Sequence, residues 1–135
     1  MSHPSPTPMS GKTILVVDDE PDVTAYLKNY FERLKIRVLT AATGEEGLSL
    51  LLAEKPDLVL LDMKLGDGIS GMEVLRRGLA AKTAAQIVVV TAVDDRNVAT
   101  MALGLGAAYY LTKPFRLEEL EKVAQARLQE SGGTG

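Results

Sequence analysis

The amino-acid sequence predicts an α/β fold built around a parallel sheet with helices on both faces. Short apolar segments without polar alternation recur along the chain, and such segments are typical of strands buried on both faces. Each is followed by a segment with apolar residues at three- and four-residue steps, which is typical of an amphipathic helix. The two kinds alternate five times, which favours parallel strands joined by right-handed crossovers.

Five segments are predicted to be strands. Residues 13–17 (TILVV), 58–61 (LVLL) and 87–90 (IVVV) are almost wholly apolar, so they are predicted to be buried on both faces. Residues 37–40 and 108–111 are more mixed in composition and are predicted nearer the edges of the sheet.

Five helices are predicted to follow these strands. The first begins at Pro21, which suits the first turn of a helix, and Val23, Leu27, Phe31 and Leu34 lie on its apolar face. The other four are predicted over residues 44–54, 71–81, 96–105 and 117–129.

The predicted domain spans residues 12–129. Residues 1–11 contain three prolines between positions 4 and 8, and the last five residues of the chain are SGGTG. These compositions are typical of disordered or flexible segments. The sequence therefore predicts a disordered segment over residues 1–11, one domain, and a flexible tail over residues 130–135.

The composition excludes several classes of function. The 135 residues include no cysteine, so disulfides and thiolate metal sites are excluded. The one histidine, His3, lies in the proline-rich segment, so no histidine of the predicted domain can serve as a catalytic base or zinc ligand. A net charge of −3 gives no electrostatic reason for binding to nucleic acid or membranes. No apolar segment approaches the roughly 20 residues that span a bilayer, and we expect a cytoplasmic protein.

Polar residues stand at the ends of four predicted strands. Asp18 and Asp19 follow the first strand, Asp62 the third and Thr91 the fourth, and Lys113 comes shortly after the fifth. Ligands of open parallel sheets bind outside the carboxyl ends of the strands, so we expect these side chains to meet at one rim. Carboxylates without histidine or cysteine favour a hard cation such as Mg²⁺, or Mn²⁺, and the ammonium and hydroxyl groups suit an anion beside it.

Each of these residues also has an ordinary structural explanation. Asp19 and Thr91 are suitable helix caps, Asp62 precedes a glycine-rich loop, and Lys113 suits a solvated surface. These explanations do not account for the gathering of all the polar groups at one edge of the sheet. We therefore favour a binding site.

The chain resembles the receiver domain of two-component response regulators over residues 12 to about 129. The matching segments are ILVVDDEP, LVLLDMKL, VVVTA, the DRNVA that follows it, and GLGAAYYLTKPF, and their order and spacing match as well. The resemblance implies a flavodoxin-like, doubly wound (βα)5 fold with a five-stranded parallel sheet in the order 2-1-3-4-5. It also implies a cytoplasmic switch in phosphorelay signalling, which takes a phosphoryl group from a histidine kinase or a histidine phosphotransfer protein.

The same resemblance assigns roles to the residues at the rim. Asp62 would be the phosphoacceptor, and Lys113 would pair with the phosphoryl group. Asp19, Asp62 and the backbone carbonyl of Lys64 would bind Mg²⁺ directly, and Asp18 would act through water. A divalent ion would thereby relieve the repulsion between neighbouring carboxylates and the incoming phosphoryl oxygens.

The resemblance further implies a switch. Thr91 and Tyr110 would form the switch pair, and the Lys113-Pro114 peptide bond is usually cis in this family. Phosphorylation would alter the surface of the fourth helix, fifth strand and fifth helix, and a downstream protein or a fused output domain would bind the altered surface.

Two features depart from the family pattern. Gly66 stands where a proline is usual, and Gly71 lies nine residues after Asp62 instead of eight, so the intervening loop is expected to be longer and more flexible. Two other functions remain open. A Mg²⁺-dependent phosphatase with an aspartyl nucleophile would need a second aspartate where this chain has Lys64, and a receiver used only as a scaffold would not be phosphorylated.

Overall fold

The computed structural model describes residues 9–92 and 94–131. Of the segments predicted to be disordered or flexible, residues 1–8 and 132–135 lie outside the described residues. Met9, also assigned to the disordered segment, is buried and packs in the core with Ile14 and Phe31. The packed part of the chain therefore includes at least three residues before the predicted boundary at Lys12.

Five strands alternate with five helices. The strands are β1 (Thr13–Val17), β2 (Arg37–Ala41), β3 (Leu58–Asp62), β4 (Gln86–Ala92) and β5 (Tyr109–Lys113). The helices are α1 (Pro21–Glu32), α2 (Gly44–Glu54), α3 (Gly71–Ala80), α4 (Arg96–Leu105) and α5 (Leu117–Ser131). Among the described residues, no helix combines the length and the hydropathy that crossing a bilayer would require.

The five strands form one parallel sheet in the order β2-β1-β3-β4-β5. The predicted fold class and strand order are therefore confirmed. β1 and β3 are neighbours at the centre, with Leu15 paired to Val59 and Val17 paired to Leu61. The carboxyl ends of these two strands consequently lie side by side.

The core has two layers because alternate residues of a strand face opposite sides of the sheet. One layer packs Ile14, Val16, Leu58 and Leu60 against α1 and α5. The other layer packs against α2, α3 and α4. Its buried strand residues are Leu15, Val17, Ala41, Val59, Leu61, Ile87 and Val89.

Some element boundaries differ from the prediction. β5 is displaced toward Lys113, which is its last residue, so Lys113 belongs to the strand. Asp62 likewise ends β3, and Thr91 lies inside β4. α1 ends at Glu32, before the predicted Leu34, because the chain turns through a left-handed conformation at Lys35 (φ 66°).

Lysines occupy three left-handed positions in the turns that lead from helices to strands. Lys35 follows α1, Lys55 (φ 49°) follows α2, and Lys82 (φ 60°) follows α3. Because helices run antiparallel to the strands in this fold, all three turns lie at the amino ends of the strands. They are at the opposite end of the sheet from Asp18 and Asp62.

Candidate metal centre

Three carboxylates gather at the carboxyl ends of the two central strands. Asp18 directly follows β1, Asp62 ends β3, and Asp19 comes next to Asp18. Each offers one oxygen atom, and these three atoms lie within 4.8 Å of one another. Asp18 and Asp62 are only 5% and 6% exposed, whereas Asp19 is exposed to solvent. The parallel pairing of β1 and β3 thus produces the predicted cluster.

Backbone amides orient the two buried carboxylates in the same way. The Glu20 N–H donates to Asp18 Oδ1 at 2.9 Å, and the Lys64 N–H donates to Asp62 Oδ1 at 2.9 Å. In both cases the donor lies two residues after the aspartate, so the loop that leaves the strand holds the side chain. The other oxygen of each carboxylate, Oδ2, takes no part in these two hydrogen bonds.

Lys113 connects these two remaining oxygens. Its Nζ donates to Asp18 Oδ2 at 3.1 Å and to Asp62 Oδ2 at 3.0 Å, and it also reaches Glu20 Oε1 at 3.3 Å. β4 lies between β3 and β5, so the Lys113 side chain extends over the end of β4 to reach them. Hydrogen bonds between charged groups are stronger than neutral ones, and these two hold the Asp18 and Asp62 carboxylates close to one ammonium group.

The electrostatics of the cluster follow from burial and from these contacts. Burial raises the pKa of the Asp62 carboxyl, and the hydrogen bonds from the Lys64 amide and Lys113 only partly oppose it. Burial lowers the pKa of Lys113, but the hydrogen bonds and charges of Asp62 and Asp18 outweigh it, so this pKa lies above its ordinary value. Lys113 is therefore protonated at neutral pH.

The donor set fits a hard divalent cation. The cluster has three carboxylates, and one ammonium group pairs with two of them, so it carries an excess of negative charge. Its ligand atoms are all oxygens, which Mg²⁺ and Mn²⁺ prefer. The three aspartates predicted from the sequence therefore form a candidate site for such a cation.

The two predicted switch residues lie on the same face of the sheet. Thr91 is 4% exposed and directly follows Val90, the register partner of Asp62. Thr91 pairs with Thr112, and Tyr110, two residues earlier, therefore faces the same side. Tyr110 is 40% exposed and stacks on Tyr109 with the ring centroids 5.9 Å apart. The Lys113-Pro114 peptide bond is cis.

The loop between β3 and α3 is anchored to α2. Glu45, in the first turn of α2, accepts a hydrogen bond from the Ile69 N–H at 3.0 Å. Ser70 caps α3 by accepting from the Glu73 N–H at 3.1 Å. The loop that was expected to be longer and more flexible is thus fastened at its far end.

Two contacts at the site were missed from the sequence. Glu20 has no role in the sequence prediction, yet its side chain contacts Lys113. Its backbone amide also donates to Asp18, two residues earlier, and this short spacing is a local signal for a residue at the site. Glu45 gives no such signal, because its partner Ile69 lies 24 residues away.

Comparison with known proteins identifies the family. The sequence profile of the response regulator receiver domain matches residues 14–125. The alkaline phosphatase synthesis transcriptional regulatory protein PhoP of Bacillus subtilis (strain 168) is 39% identical over 120 residues, which are 89% of this chain and 50% of PhoP. The sporulation initiation phosphotransferase F of the same organism is 31% identical over 89% of this chain and 96% of that protein.

A solved structure gives the same result. The CheY-like response regulator receiver domain protein of Methanospirillum hungatei JF-1 superposes with a TM-score of 0.83 at 30% identity, and the match covers 89% of this chain and 95% of that one. The chain spans half the length of PhoP and nearly all of the phosphotransferase. The fold, the acidic cluster and both kinds of comparison agree, and the chain belongs to the receiver domain family of two-component response regulators.

Proposed function

We propose that this receiver domain is switched by phosphorylation of Asp62, with a phosphohistidine of a histidine kinase or of a histidine phosphotransfer protein as the donor. The observation that carries the proposal is the position of the Asp62 carboxylate. It is buried among two other aspartates, and its Oδ2 lies 3.0 Å from the Lys113 ammonium. A nucleophile, a cation-binding cluster and a fixed positive charge thus meet at one point.

The chemical step transfers a phosphoryl group between two protein side chains. An Asp62 carboxylate oxygen forms the new P–O bond while the P–N bond to the donor imidazole breaks. The imidazole nitrogen keeps the electron pair and takes up a proton. Lys113 stabilises the negative charge on the oxygens of the transferred group, because its ammonium is already held at the acceptor.

Mg²⁺ fits this step, and Mn²⁺ fits the same donors. We propose that Asp19, Asp62 and the backbone carbonyl of Lys64 hold it directly and that Asp18 holds it through water. When bound, the ion neutralises the repulsion between the carboxylates and the incoming phosphoryl oxygens. Lys113, which donates to Asp62 Oδ2, would supply a second positive charge to the phosphoryl oxygens.

The switch follows from the charge that the phosphoryl group adds. That charge is about −1.5 to −2 at neutral pH, and it is introduced beside Thr91. The Thr91 hydroxyl then moves to donate to a phosphoryl oxygen, and Tyr110 turns inward into the space that is vacated. The surface of α4, β5 and α5 changes with it. A differential stabilisation of ~5.5 kcal/mol would move such a two-state equilibrium from 1:99 to 99:1.

The surroundings of the site supply room for a phosphodonor protein. A groove of about 610 Å³ lies between α1 and the segment after β5, and Tyr26, Leu27, Pro114 and Phe115 give it an apolar lining. Lys113 also borders it, so the groove opens next to Asp62. A partner seated there would bring its phosphohistidine close to the acceptor.

The chain acts, on this proposal, as a cytoplasmic switch that assists its own phosphorylation and dephosphorylation and not as an enzyme with a separate substrate. Its downstream partner is a target protein or an output domain of the same protein, and the chain itself contacts neither nucleic acid nor membrane. PhoP, which bears the name of a transcriptional regulatory protein, is one relative that supports an output of this kind.

A mass measurement tests the proposal. Wild-type protein is incubated with acetyl phosphate and Mg²⁺, and intact mass spectrometry is expected to detect the labile gain of one phosphoryl group. Asp62→Ala is expected to show none. An unmodified wild type, or an equal gain on Asp62→Ala, would refute Asp62 as the acceptor.

A further inference from the structure

Glu45 contacts the β3–α3 loop at two neighbouring residues, Gly68 and Ile69. Its Oε2 accepts the Ile69 N–H at 3.0 Å. Gly68 adopts a left-handed conformation (φ 98°), and a β-carbon on it would collide with the Glu45 carboxylate. The loop therefore passes directly over the Glu45 side chain, with a glycine at the point of closest approach.

A second close contact fixes the same part of the loop against α2. A β-carbon on Gly44 would lie 2.5 Å from the Ile69 carbonyl oxygen and 2.7 Å from Ile69 Cγ1. The Ile69 side chain packs against the core layer that contains Val74. The first turn of α2 thus holds the loop in two ways: Gly44 leaves space for Ile69, and Glu45 accepts a hydrogen bond from its N–H.

The other end of this loop, at Lys64 and Gly66, contacts the acidic cluster. The Lys64 N–H orients Asp62, and a β-carbon on Gly66 would lie 3.3 Å from Asp19 Oδ2. The loop thus contacts two of the three aspartates within five residues of its anchor at Ile69. Gly66 and Gly68 make the segment between cluster and anchor easy to deform. Leu65 packs against the core layer at the start of this segment, and the hydrogen bond from the Ile69 N–H to Glu45 is the polar contact that fixes its far end.

We propose that Glu45 is a positioning residue of the metal centre: by holding Ile69 it fixes the β3–α3 loop, and with it the Lys64 backbone and the approach to Asp19. This inference rests on the proposed function, since it assigns Glu45 a role in that site. The competing explanation is that Glu45 only stabilises the amino end of α2, as an acidic residue in the first turn does.

Three variants separate these explanations. Glu45→Ala removes the acceptor, Glu45→Gln keeps an oxygen that can accept from Ile69, and Glu119→Ala removes an exposed acidic residue from the first turn of α5, far along the chain from the loop. The measurements are Mg²⁺ affinity by calorimetric titration, amide hydrogen exchange at Ile69 and Lys64, and the free energy of unfolding.

Glu45→Ala is expected to weaken Mg²⁺ binding about twofold to tenfold, which is the range that one hydrogen bond supplies, and to speed exchange at both amides. Glu45→Gln is expected to keep most of the wild-type Mg²⁺ affinity and slow amide exchange, and Glu119→Ala to leave the affinity and the exchange rates unchanged. The proposal is overturned if Glu45→Ala lowers stability alone, with Mg²⁺ affinity and Lys64 exchange as in wild type, or if Glu45→Gln behaves like Glu45→Ala.

The same experiment distinguishes failure of this inference from failure of the proposed function. Amide exchange at Lys64 requires neither metal nor phosphoryl group, so it tests the anchoring by Glu45 even if wild type takes up no phosphoryl group. Faster exchange at Lys64 in Glu45→Ala supports the inference in that case, and unchanged exchange refutes it.

Discussion

The central strand β3 and the edge strand β5 carry complementary parts of the site in opposite surroundings. All five residues of β3 are buried, and it ends in Asp62. β5 has a neighbour on one side only, and its first two residues, Tyr109 and Tyr110, are exposed. A side chain on β3 cannot move without disturbing the core layer that it faces, whereas the exposed Tyr110 can turn at little cost. On the proposed function, phosphorylation would take place where the backbone is fixed, and the change of shape where side chains have room.

Stability should differ most between these two strands. Leu60→Ala removes a buried side chain of β3 and is expected to lower the free energy of unfolding by about 2–5 kcal/mol, through lost burial and the cavity that remains. Tyr110→Ala, at the exposed edge, is expected to cost less than about 1 kcal/mol. Urea denaturation measures both values. Equal losses would mean that β5 is as firmly packed as β3.

The acidic cluster on the central strands should bind a cation that stabilises the fold. At a free Mg²⁺ concentration of 100 times Kd, the free energy of unfolding is expected to rise by about 2.7 kcal/mol. Asp19→Asn is expected to lose most of this gain, and Asp22→Asn, in the first turn of α1, to keep it. Thermal unfolding with and without Mg²⁺ checks the result, and an undiminished gain in Asp19→Asn would contradict the ligand assignment.

Thr91 lies on β4, between the Asp62 end of β3 and Tyr110 on β5. Its removal is expected to uncouple Tyr110 from phosphorylation of Asp62. Thr91→Ala deletes a buried hydroxyl, with an expected cost of about 1 kcal/mol in the free energy of unfolding. Asp62 should still be phosphorylated in this variant, but Tyr110 should stay exposed. NMR of ring-labelled tyrosines before and after phosphorylation reports this, with Thr91→Ser as the control that keeps the hydroxyl. A full response of Tyr110 in Thr91→Ala would exclude Thr91 from the switch.

A smaller effect is expected in the helical layer that covers the central strands. Tyr30 of α1 donates to the Glu121 carboxylate of α5, and burial, together with this carboxylate, raises the pKa of Tyr30 to about 12. Because the ordinary value is about 10, the folded state retains the proton longer than the unfolded state does. This contribution to stability is complete below pH ~10 and is lost as the pH rises through about 12.

Tyr30→Phe should therefore flatten the alkaline decline in stability, whereas Tyr26→Phe, at an exposed position of the same helix, should not. Unfolding measured across the alkaline range provides the test. Parallel declines in wild type and Tyr30→Phe would show that the phenol does not contribute.

The fold was predictable because its strongest signals are local. The apolar runs of β1, β3 and β4 indicate buried strands without any knowledge of their neighbours. β5 was placed too early because two tyrosines at an exposed edge give a weak apolar pattern, and only pairing with β4 brings Lys113 into the strand. The burial of Met9 was not predicted, because a single apolar residue outside any helix or strand gives no periodic pattern in the sequence.

The aspartates of the candidate site were predictable for a topological reason. Parallel strands bring their carboxyl ends to one edge, so the residues after each strand are expected to meet there, as Asp18 and Asp62 do. The contacts of Glu45 were not predictable, because they depend on how a loop folds back on a distant helix. The phosphoacceptor and switch roles of Asp62, Thr91 and Tyr110 stay predictions that the experiments above can decide.

The left-handed lysines at positions 35, 55 and 82 have a practical consequence for anyone redesigning this domain. A lysine is strained in that conformation because of its β-carbon; glycine has no β-carbon, and asparagine tolerates the conformation better than lysine does. All three turns lie at the end of the sheet remote from the aspartates. Substitutions in these turns are therefore expected to change the thermal stability of the domain without altering the candidate metal centre.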